Sequence, residues 1–272
     1  MLRILFILIL ANLCLPTVHA QKTGPVTKIV TGSVLLNESK ALDAKMLIAS
    51  LKKNWKVNAD SVSNADKTIV FSVPGAVVML AWLNYAPPAP EVRAAARISW
   101  LWPEAEQEAL QCKAQIVISV IGNSDKALEL HKLFTKVAGA ILERSDANGI
   151  YMSDRYLLLS KGFYSAAARN LLNDSSLPVY CWVYFGMQQV NGLNGGYTYG
   201  LQEFGRKEME ITGSQNTLQD VHATLYDVAA FVLQWNYELK SGSTFEGIPE
   251  VKIPVSLSPA AYIEGETIKL GY

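Results

Sequence analysis

The sequence has few of the residues that build reactive sites. It contains three cysteines and three histidines among 272 residues, and after residue 20 no two of them have the close spacing of a zinc-binding motif. The Gly-x-Ser-x-Gly motif of serine hydrolases is absent, and the glycines of residues 192–196 lack the lysine of a phosphate-binding loop. We therefore predict no catalytic constellation, no metal site and no bound cofactor.

The sequence also has no excess of charge of either sign. Lysine and arginine together number 24, as do aspartate and glutamate, and a near-neutral surface attracts nucleic acids and anionic membranes only weakly. After residue 20, the longest apolar stretch, residues 76–83, is far shorter than the roughly twenty residues that a membrane helix needs. We therefore expect no nucleic-acid partner and no stable membrane anchor.

The first twenty residues have the pattern of a cleavable signal peptide. Arg3 precedes an apolar run at residues 4–15, and Val18 and Ala20 supply small residues before a cleavage site ahead of Gln21. An apolar run of about a dozen residues is too short to anchor the chain in a bilayer. We therefore expect residues 1–20 to be removed, and the mature chain to be a soluble protein that is periplasmic or secreted.

The mature chain alternates between strand and helix patterns. Strands are predicted at residues 28–36, 57–62, 67–73, 76–85, 115–121, 149–152, 178–187, 197–204 and 208–212. Helices are predicted up to residue 53, at 91–99, 103–111, up to residue 144, at 164–172 and at 217–237. This order predicts an α+β fold with mixed or antiparallel sheets and helices packed on them.

Two stretches of the chain have a similar order of elements. A strand, a capped helix, extended segments and a further helix follow one another in residues 21–111 and again in residues 112–272. The similarity favours two duplicated strand-helix-strand-strand halves. Cys112 and Cys181 fall at predicted strand positions, and we expect two unpaired buried thiols, although an oxidising compartment would also allow them to pair.

Several segments resemble a known bacterial family. The segments at residues 177–183 and 192–201 and the helix at 218–233 resemble the family called domain of unknown function 4261 (DUF4261), which also tends to have the Trp-x-Trp-Pro-Glu sequence of residues 100–104. The resemblance is clearest over residues 177–248 and looser over residues 41–153. It implies a shared fold without an established activity, and export would set this chain apart from a family that mainly lacks signal peptides.

Aromatic residues are the candidate contact residues. Trp100, Trp102, Tyr197 and Tyr199 could stack on a sugar or on a protein partner, and Glu104 follows the two tryptophans closely. Packing in the core is the alternative for each aromatic side chain. We place any ligand or partner contact at these five residues.

The expected function is binding rather than catalysis. We favour an exported, non-enzymatic protein that binds a protein partner. The alternative is a cell-envelope hydrolase acting on glycan or peptide, because Glu104 with Glu106 and Glu203 with Glu208 are carboxylate pairs of the kind that glycosidases use. A solvated helix face or strand edge explains the same four carboxylates. Two histidines, at positions 131 and 222, fall within predicted helices and are expected to be partly buried.

Overall fold

The computed structural model describes residues 26–174, 176–248 and 251–272. The predicted signal peptide, residues 1–20, lies outside the described residues. Within the described ranges, six α-helices and two sheets form an α+β fold with antiparallel and mixed strand pairing, which confirms the predicted fold class. In the described residues, no helix is long and apolar enough to span a membrane.

The first sheet has seven antiparallel strands. Its strands are β1 (Thr27–Leu36), β2 (Asp60–Ala65), β3 (Thr68–Val73), β4 (Ala76–Leu83), β5 (Ala114–Asn123), β6 (Ala147–Met152) and β7 (Leu157–Ser160), in the spatial order β2-β3-β4-β5-β1-β6-β7. Because β5 is antiparallel to both β1 and β4, the latter two run parallel with β5 between them. Strand β1 is likewise antiparallel to both β5 and β6, which the helix at residues 127–144 connects, so these elements have the order of a split β-α-β unit around β1.

Helices cover this sheet unequally. On one face lie α1 (Ala44–Trp55), α4 (Ala127–Arg144) and α5 (Lys161–Leu172). The helices α2 (Ala89–Arg97) and α3 (Ala105–Ala109) pack against β6 and β7, and with them they form a second, smaller hydrophobic core. Helix α1 begins at Asp43, whose side chain accepts a hydrogen bond from the Met46 amide. Leu47, Leu51 and Trp55 recur at intervals of four residues, so they share the face that is buried against α4.

The second sheet has six strands and is covered by one helix. Its strands are β8 (Tyr184–Val190), β9 (Leu193–Tyr199), β10 (Met209–Ser214), β11 (Thr244–Ile248), β12 (Val251–Pro259) and β13 (Glu266–Leu270), in the order β11-β12-β13-β10-β9-β8. Strands β10 and β13 pair in parallel and the other neighbours are antiparallel. The helix α6 (Leu218–Gln234) covers one face of this sheet.

Helix α6 has both a defined start and an apolar face. The Thr217 side chain accepts a hydrogen bond from the Asp220 amide, and the Asp220 carboxylate accepts one from the Thr217 amide in return. Val221, Leu225 and Val228 follow at helical spacing and are buried. A side chain on Gly196 of β9 would meet the Leu225 side chain at 2.9 Å, so this glycine lets helix and sheet approach closely.

The structure corrects three local expectations. Residues 190–196 have the composition of a long hairpin turn, but only Asn191 and Gly192 connect β8 and β9, and both have positive φ angles (52° and 79°) as a two-residue hairpin requires. Neither cysteine lies in a strand: Cys181 lies in a short 3₁₀ segment, and Cys112 lies in the connection before β5. The almost wholly apolar sequence of β4 is typical of a strand covered on both faces, but Val77 and Met79 are each 40% exposed, so one face of β4 is open.

The remaining expectations concern cysteines and domain halves. Cys112 and Cys181 are both buried and unpaired, as expected. Strand β5 follows residue 112 yet lies between β1 and β4, which precede it. The division into residues 21–111 and 112–272 therefore does not coincide with the division into sheets, which falls between Ser160 and Tyr184.

Candidate functional site

A cleft of about 560 Å³ lies against the face of the second sheet that α6 leaves open. Two lining residues, Ile98 and Tyr156, come from the part of the chain that builds the first sheet. The others come from β8, β9, the segment before β10, the loop before β13 and the start of β13. We call it the tyrosine cleft, because four tyrosines line it: Tyr156, Tyr184, Tyr197 and Tyr199.

Strand register places three of these tyrosines on one face. Tyr184 of β8 lies directly opposite Tyr199 of β9, and Gly186 lies opposite Tyr197. Residues directly opposite one another in an antiparallel pair share a face, and Gly196, which precedes Tyr197, faces α6 instead. The ring centroids of Tyr184 and Tyr197 are 6.1 Å apart, and those of Tyr156 and Tyr199 are 6.3 Å apart.

The ring of Tyr197 depends on a glycine in the neighbouring strand. A β-carbon added to Gly186 would lie 2.2 Å from the Tyr197 ring, closer than any real contact. The ring therefore lies directly over the Gly186 backbone, an arrangement in which an aromatic side chain covers a cross-strand glycine. Because of this contact, the position of Tyr197 is set before any ligand binds.

Glu208 fixes the turn that follows Tyr199. Its carboxylate accepts hydrogen bonds from the Thr198 hydroxyl (2.7 Å), the Gly200 amide (2.7 Å) and the Gln202 amide (3.1 Å). Burial raises the pKa of Glu208, and these hydrogen bonds oppose the increase. Gly200 has a φ of 126°, which only glycine adopts readily. Glu208 is thus a structural carboxylate, although it lines the cleft.

Glu210 fixes the loop at the opposite rim. It is fully buried, and its carboxylate accepts hydrogen bonds from the Ala261 amide (2.9 Å), the Tyr262 amide (3.0 Å) and the Lys269 ammonium. Burial raises the pKa of Glu210, but the bonds from Lys269 and the two amides outweigh burial and lower that pKa overall. The loop so held carries Ile263 and Glu264 into the cleft.

A buried arginine supports the wall that Tyr156 forms. Arg155 is 1% exposed, and its Nη1 donates to the Nε2 of His131 (3.0 Å) and to the carbonyl of Trp182 (3.4 Å). Its Nη2 lies 3.2 Å from the Asp154 carboxylate and 3.6 Å from that of Glu203. Two carboxylates and two neutral acceptors therefore surround the buried cation.

The protonation state of His131 follows from its two partners. Its Nδ1 lies 2.8 Å from the Ala127 carbonyl, which can only accept, and its Nε2 faces an arginine, which can only donate. His131 is therefore neutral with the proton on Nδ1. Burial, and secondly the Arg155 charge, hold the pKa of His131 well below 6.5. The sequence predicted partial burial, but this histidine is fully buried.

The rim of the tyrosine cleft carries charges of both signs. Arg206, Lys207, Glu264 and Glu266 all line it, and the Lys207 ammonium lies 3.5 Å from the Glu266 carboxylate. Inside the cleft, burial raises the pKa of Tyr184 to about 12, so its phenol is a neutral hydrogen-bond donor at physiological pH. The cleft can therefore stack on flat groups, donate hydrogen bonds and pair with either charge.

The other predicted contact residues lie elsewhere. Trp100 is half exposed, and its ring meets the edge of His222 (centroids 4.9 Å apart) and of Tyr180 (5.8 Å). Trp102 is buried in the smaller core, where its Nε1 donates to the Glu108 carboxylate at 3.1 Å. Glu104 is exposed where α3 begins. Of the five predicted residues, the structure brings together only Tyr197 and Tyr199.

The sequence analysis missed most residues of the cleft, among them Ile98, Tyr156 and Tyr184. Tyr184 was assigned to a strand but not to a site. The sequence feature that could have indicated Tyr184 is the combination of tyrosines and glycines in β8 and β9, which is typical of strands whose aromatic side chains cover glycine backbone. Tyr156 and Ile98 carry no such pattern, since they reach the cleft only through the packing of distant segments.

Three of the four carboxylates that a hydrolase would use are engaged in other contacts, whereas Glu104 is exposed. Glu106 pairs with Arg93 at 2.9 Å, and Glu203 pairs with Lys28 at 2.7 Å. Glu208 accepts the three hydrogen bonds described above. Across the described ranges, no group of three histidine, cysteine, aspartate or glutamate side chains is arranged to hold a metal ion.

Comparison with known proteins identifies one related family. The family described as Domain of unknown function (DUF4261) matches residues 197–271, which extend from Tyr197 in β9 to the end of β13. This match confirms the DUF4261-like character that the sequence indicated. The matched residues include both buried glutamates and the loop that borders the cleft. No curated protein and no solved structure matches the chain.

Proposed function

We propose that this chain, in which residues 197–271 match the DUF4261 family, is an exported, non-enzymatic protein that binds a segment of a partner protein in the tyrosine cleft. One observation carries the proposal: four tyrosines from β8, β9 and the segment after β6 line a single cleft whose rim has charges of both signs. Tyrosine and arginine are enriched where proteins bind one another.

The chemistry of the cleft suits an extended polypeptide. Tyrosine offers a large rigid surface with only two rotatable side-chain bonds, so that ordering it on binding costs little entropy. Aromatic-lined grooves bind extended, proline-rich segments by stacking on the rings. The opposed charges of Arg206 and Glu264 could fix the direction of such a segment.

The engaged carboxylates favour binding over the alternative, a cell-envelope hydrolase. A general acid or nucleophile must be able to reach its substrate. Glu203 and Glu208 instead make contacts that hold the protein's own backbone and side chains. The hydrolase predicts glycan or peptide cleavage that Glu203→Gln or Glu104→Gln abolishes, and such activity in the purified protein would contradict our proposal.

Export rests on the charged, apolar and small-residue pattern of residues 1–20. Mass spectrometry of the protein recovered from cells should find a chain that begins at Gln21 outside the cytosol. A cytosolic chain that retains Met1 would contradict this part of the proposal without affecting the cleft.

The cleft is tested by site-specific photo-crosslinking. A photoreactive residue at position 156, which is exposed at the cleft wall, should capture a specific protein from extracts of producing cells. The same residue at position 85 is the control, because Tyr85 is also exposed but does not line the cleft. The captured segment is then made as a peptide.

Affinity measurements decide whether that capture reflects binding in the cleft. Tyr197→Ala should lower the affinity for the purified peptide about tenfold or more, because aromatic anchor residues carry much of the binding free energy of an interface. Tyr85→Ala should change the affinity less than about twofold. Equal crosslinking at positions 156 and 85, or equal affinity in both variants, would contradict the proposal.

A further inference from the structure

A second cleft, of about 300 Å³, lies where the end of α1, the β3–β4 turn and the first half of α4 meet. Four lysines from separate parts of the chain line it: Lys56 follows α1, Lys126 precedes α4, and Lys132 and Lys136 lie on α4. The remaining lining is largely apolar or backbone, including the Pro74–Gly75 turn. We call it the lysine cleft.

The charge of this lining is unusual for the protein. Four lysines face a single carboxylate, that of Glu129. The tyrosine cleft is lined instead by two basic and three acidic residues. The neighbouring groove between α4 and α6 shares Lys132, Lys136 and Glu129 with the lysine cleft and adds two aspartates, at positions 174 and 227. In a chain with equal numbers of acidic and basic residues, this accumulation of one sign gives the lysine cleft a positive potential that attracts anions.

Most of this positive charge is not neutralised within the protein. Glu129 accepts a hydrogen bond from Lys132 at 2.9 Å. The Lys56 ammonium has a neutral partner, the Leu172 carbonyl, at 3.5 Å. Within the described part of the chain, neither Lys126 nor Lys136 has a carboxylate oxygen within 4.0 Å. An anion in the cleft would therefore relieve repulsion among the lysines and not compete with existing ion pairs.

The backbone at Lys56 gives an independent indication. Lys56 ends α1 in the left-handed conformation, with φ 55° and ψ 34°. Glycine is the usual residue at this position, because a β-carbon is unfavourable there. Lys56 keeps this strained conformation and its side chain lines the cleft, which is consistent with a role in binding, while its ammonium lies 3.5 Å from the Leu172 carbonyl at the end of α5.

We propose that the lysine cleft binds the phosphate group of a small phosphorylated ligand. Lysine ammonium groups are compact point charges that suit phosphate, and several of them can approach its oxygens from different directions. The volume of the cleft is at the lower end of the range for small-molecule sites. The phosphate can belong to a free metabolite or to a lipid headgroup, since both present the same charged oxygens.

Calorimetric titration of the purified chain with inorganic pyrophosphate tests the cleft. Lys136→Gln should weaken pyrophosphate binding at least about fivefold, because it removes one charge-assisted contact. Lys52→Gln and Lys53→Gln are matched controls on α1 that do not line the cleft, and they should change the affinity less than about twofold. Absence of pyrophosphate binding at low ionic strength, or equal losses in cleft and control variants, would overturn the proposal.

Lys56→Gly separates binding from folding. This variant removes the ammonium and relieves the left-handed strain, so its urea midpoint should not fall while its pyrophosphate affinity falls at least about fivefold. Unchanged affinity in a folded Lys56→Gly variant would overturn the role of Lys56.

Vesicle sedimentation distinguishes the two sources of phosphate. A lipid headgroup is supported if the protein sediments with phosphatidic acid vesicles but not with phosphatidylcholine vesicles, and if Lys136→Gln no longer sediments with either. Pyrophosphate binding without sedimentation supports a free ligand.

Discussion

The tyrosine cleft and the lysine cleft are held in shape by different means. In the tyrosine cleft, Glu208 and Glu210 fix the turn and the loop at the rim, and Gly186 fixes the position of Tyr197. In the lysine cleft, the charges are carried by long side chains, two of which, Lys56 and Lys126, are exposed to solvent. Rigid aromatic surfaces favour selectivity, whereas mobile charges favour rapid capture of any suitable anion.

Because of this difference, substitutions at the two clefts should have different effects on stability and on ligand affinity. Residues buried beneath the tyrosine cleft should change both its shape and the stability of the protein, although none of them need touch a ligand. Substitutions of the lysines should change anion affinity and leave stability nearly unaffected, because exposed charges contribute little to folding.

The largest expected effect is that of Glu210→Gln. The substitution removes a fully buried charge and leaves Lys269 without its carboxylate, so it should lower the free energy of unfolding at pH 7 by about 3 kcal/mol. Glu266→Gln, which alters an exposed rim carboxylate, should cost less than about 0.5 kcal/mol. Urea denaturation of both variants measures the difference.

The pH dependence of Glu210→Gln provides a second measurement. Because the folded state lowers the pKa of Glu210 below its ordinary value of 4.5, the carboxylate stabilises the fold above that pH and loses this contribution as the pH falls below it. The difference between wild type and Glu210→Gln should therefore shrink as the pH falls below 4.5. A constant difference at pH 7 and pH 4 would show that Glu210 is not a stabilising anion.

A smaller effect is expected for Gly186→Ala. The new methyl group would overlap the Tyr197 ring, so the ring must move, at a cost of about 1 to 3 kcal/mol. Gly162→Ala is the matched control, because Gly162 lies in α5 with no atom within 4 Å of the added carbon, and it should stabilise the protein by about 0.5 kcal/mol. Equal urea midpoints for the two variants would contradict a preformed tyrosine surface.

The smallest effect concerns His131 behind the Tyr156 wall. Because its pKa is well below 6.5 in the folded protein, the unfolded chain binds a proton there as the pH falls through 6.5 and the fold loses stability. In a His222→Gln background, which removes the other described histidine with a lowered pKa, we expect a loss of about 0.8 kcal/mol between pH 7.5 and pH 6.0.

The baseline for that loss is the double variant His131→Gln/His222→Gln. It should lack the decrease between pH 7.5 and pH 6.0, because only carboxylates continue to titrate towards acid. If urea unfolding gives the same decrease in the double variant, His131 is not neutral in the folded protein.

Several elements of the fold were readable from neighbouring residues alone. The helix that ends at Arg144 and the helix that begins at Leu218 have apolar positions at intervals of three and four residues, and the structure has both. Strand β7 was missed because its four residues, Leu157–Ser160, are too few and too uniformly apolar to show alternation. The Asn191–Gly192 hairpin was recognisable in principle, since this dipeptide favours two-residue turns.

By itself the sequence determined the α+β class, most helices and strands, and the aromatic content of β9, because these depend on patterns among residues close together in the chain. Only the tertiary structure decided which aromatics meet. Trp102 is buried against α3, whereas Tyr156 joins Tyr199 across the boundary between the sheets. Glu210 reaches Ala261, 51 residues away. Contacts at such separations depend on how whole strands pair and pack, and no local periodicity encodes them.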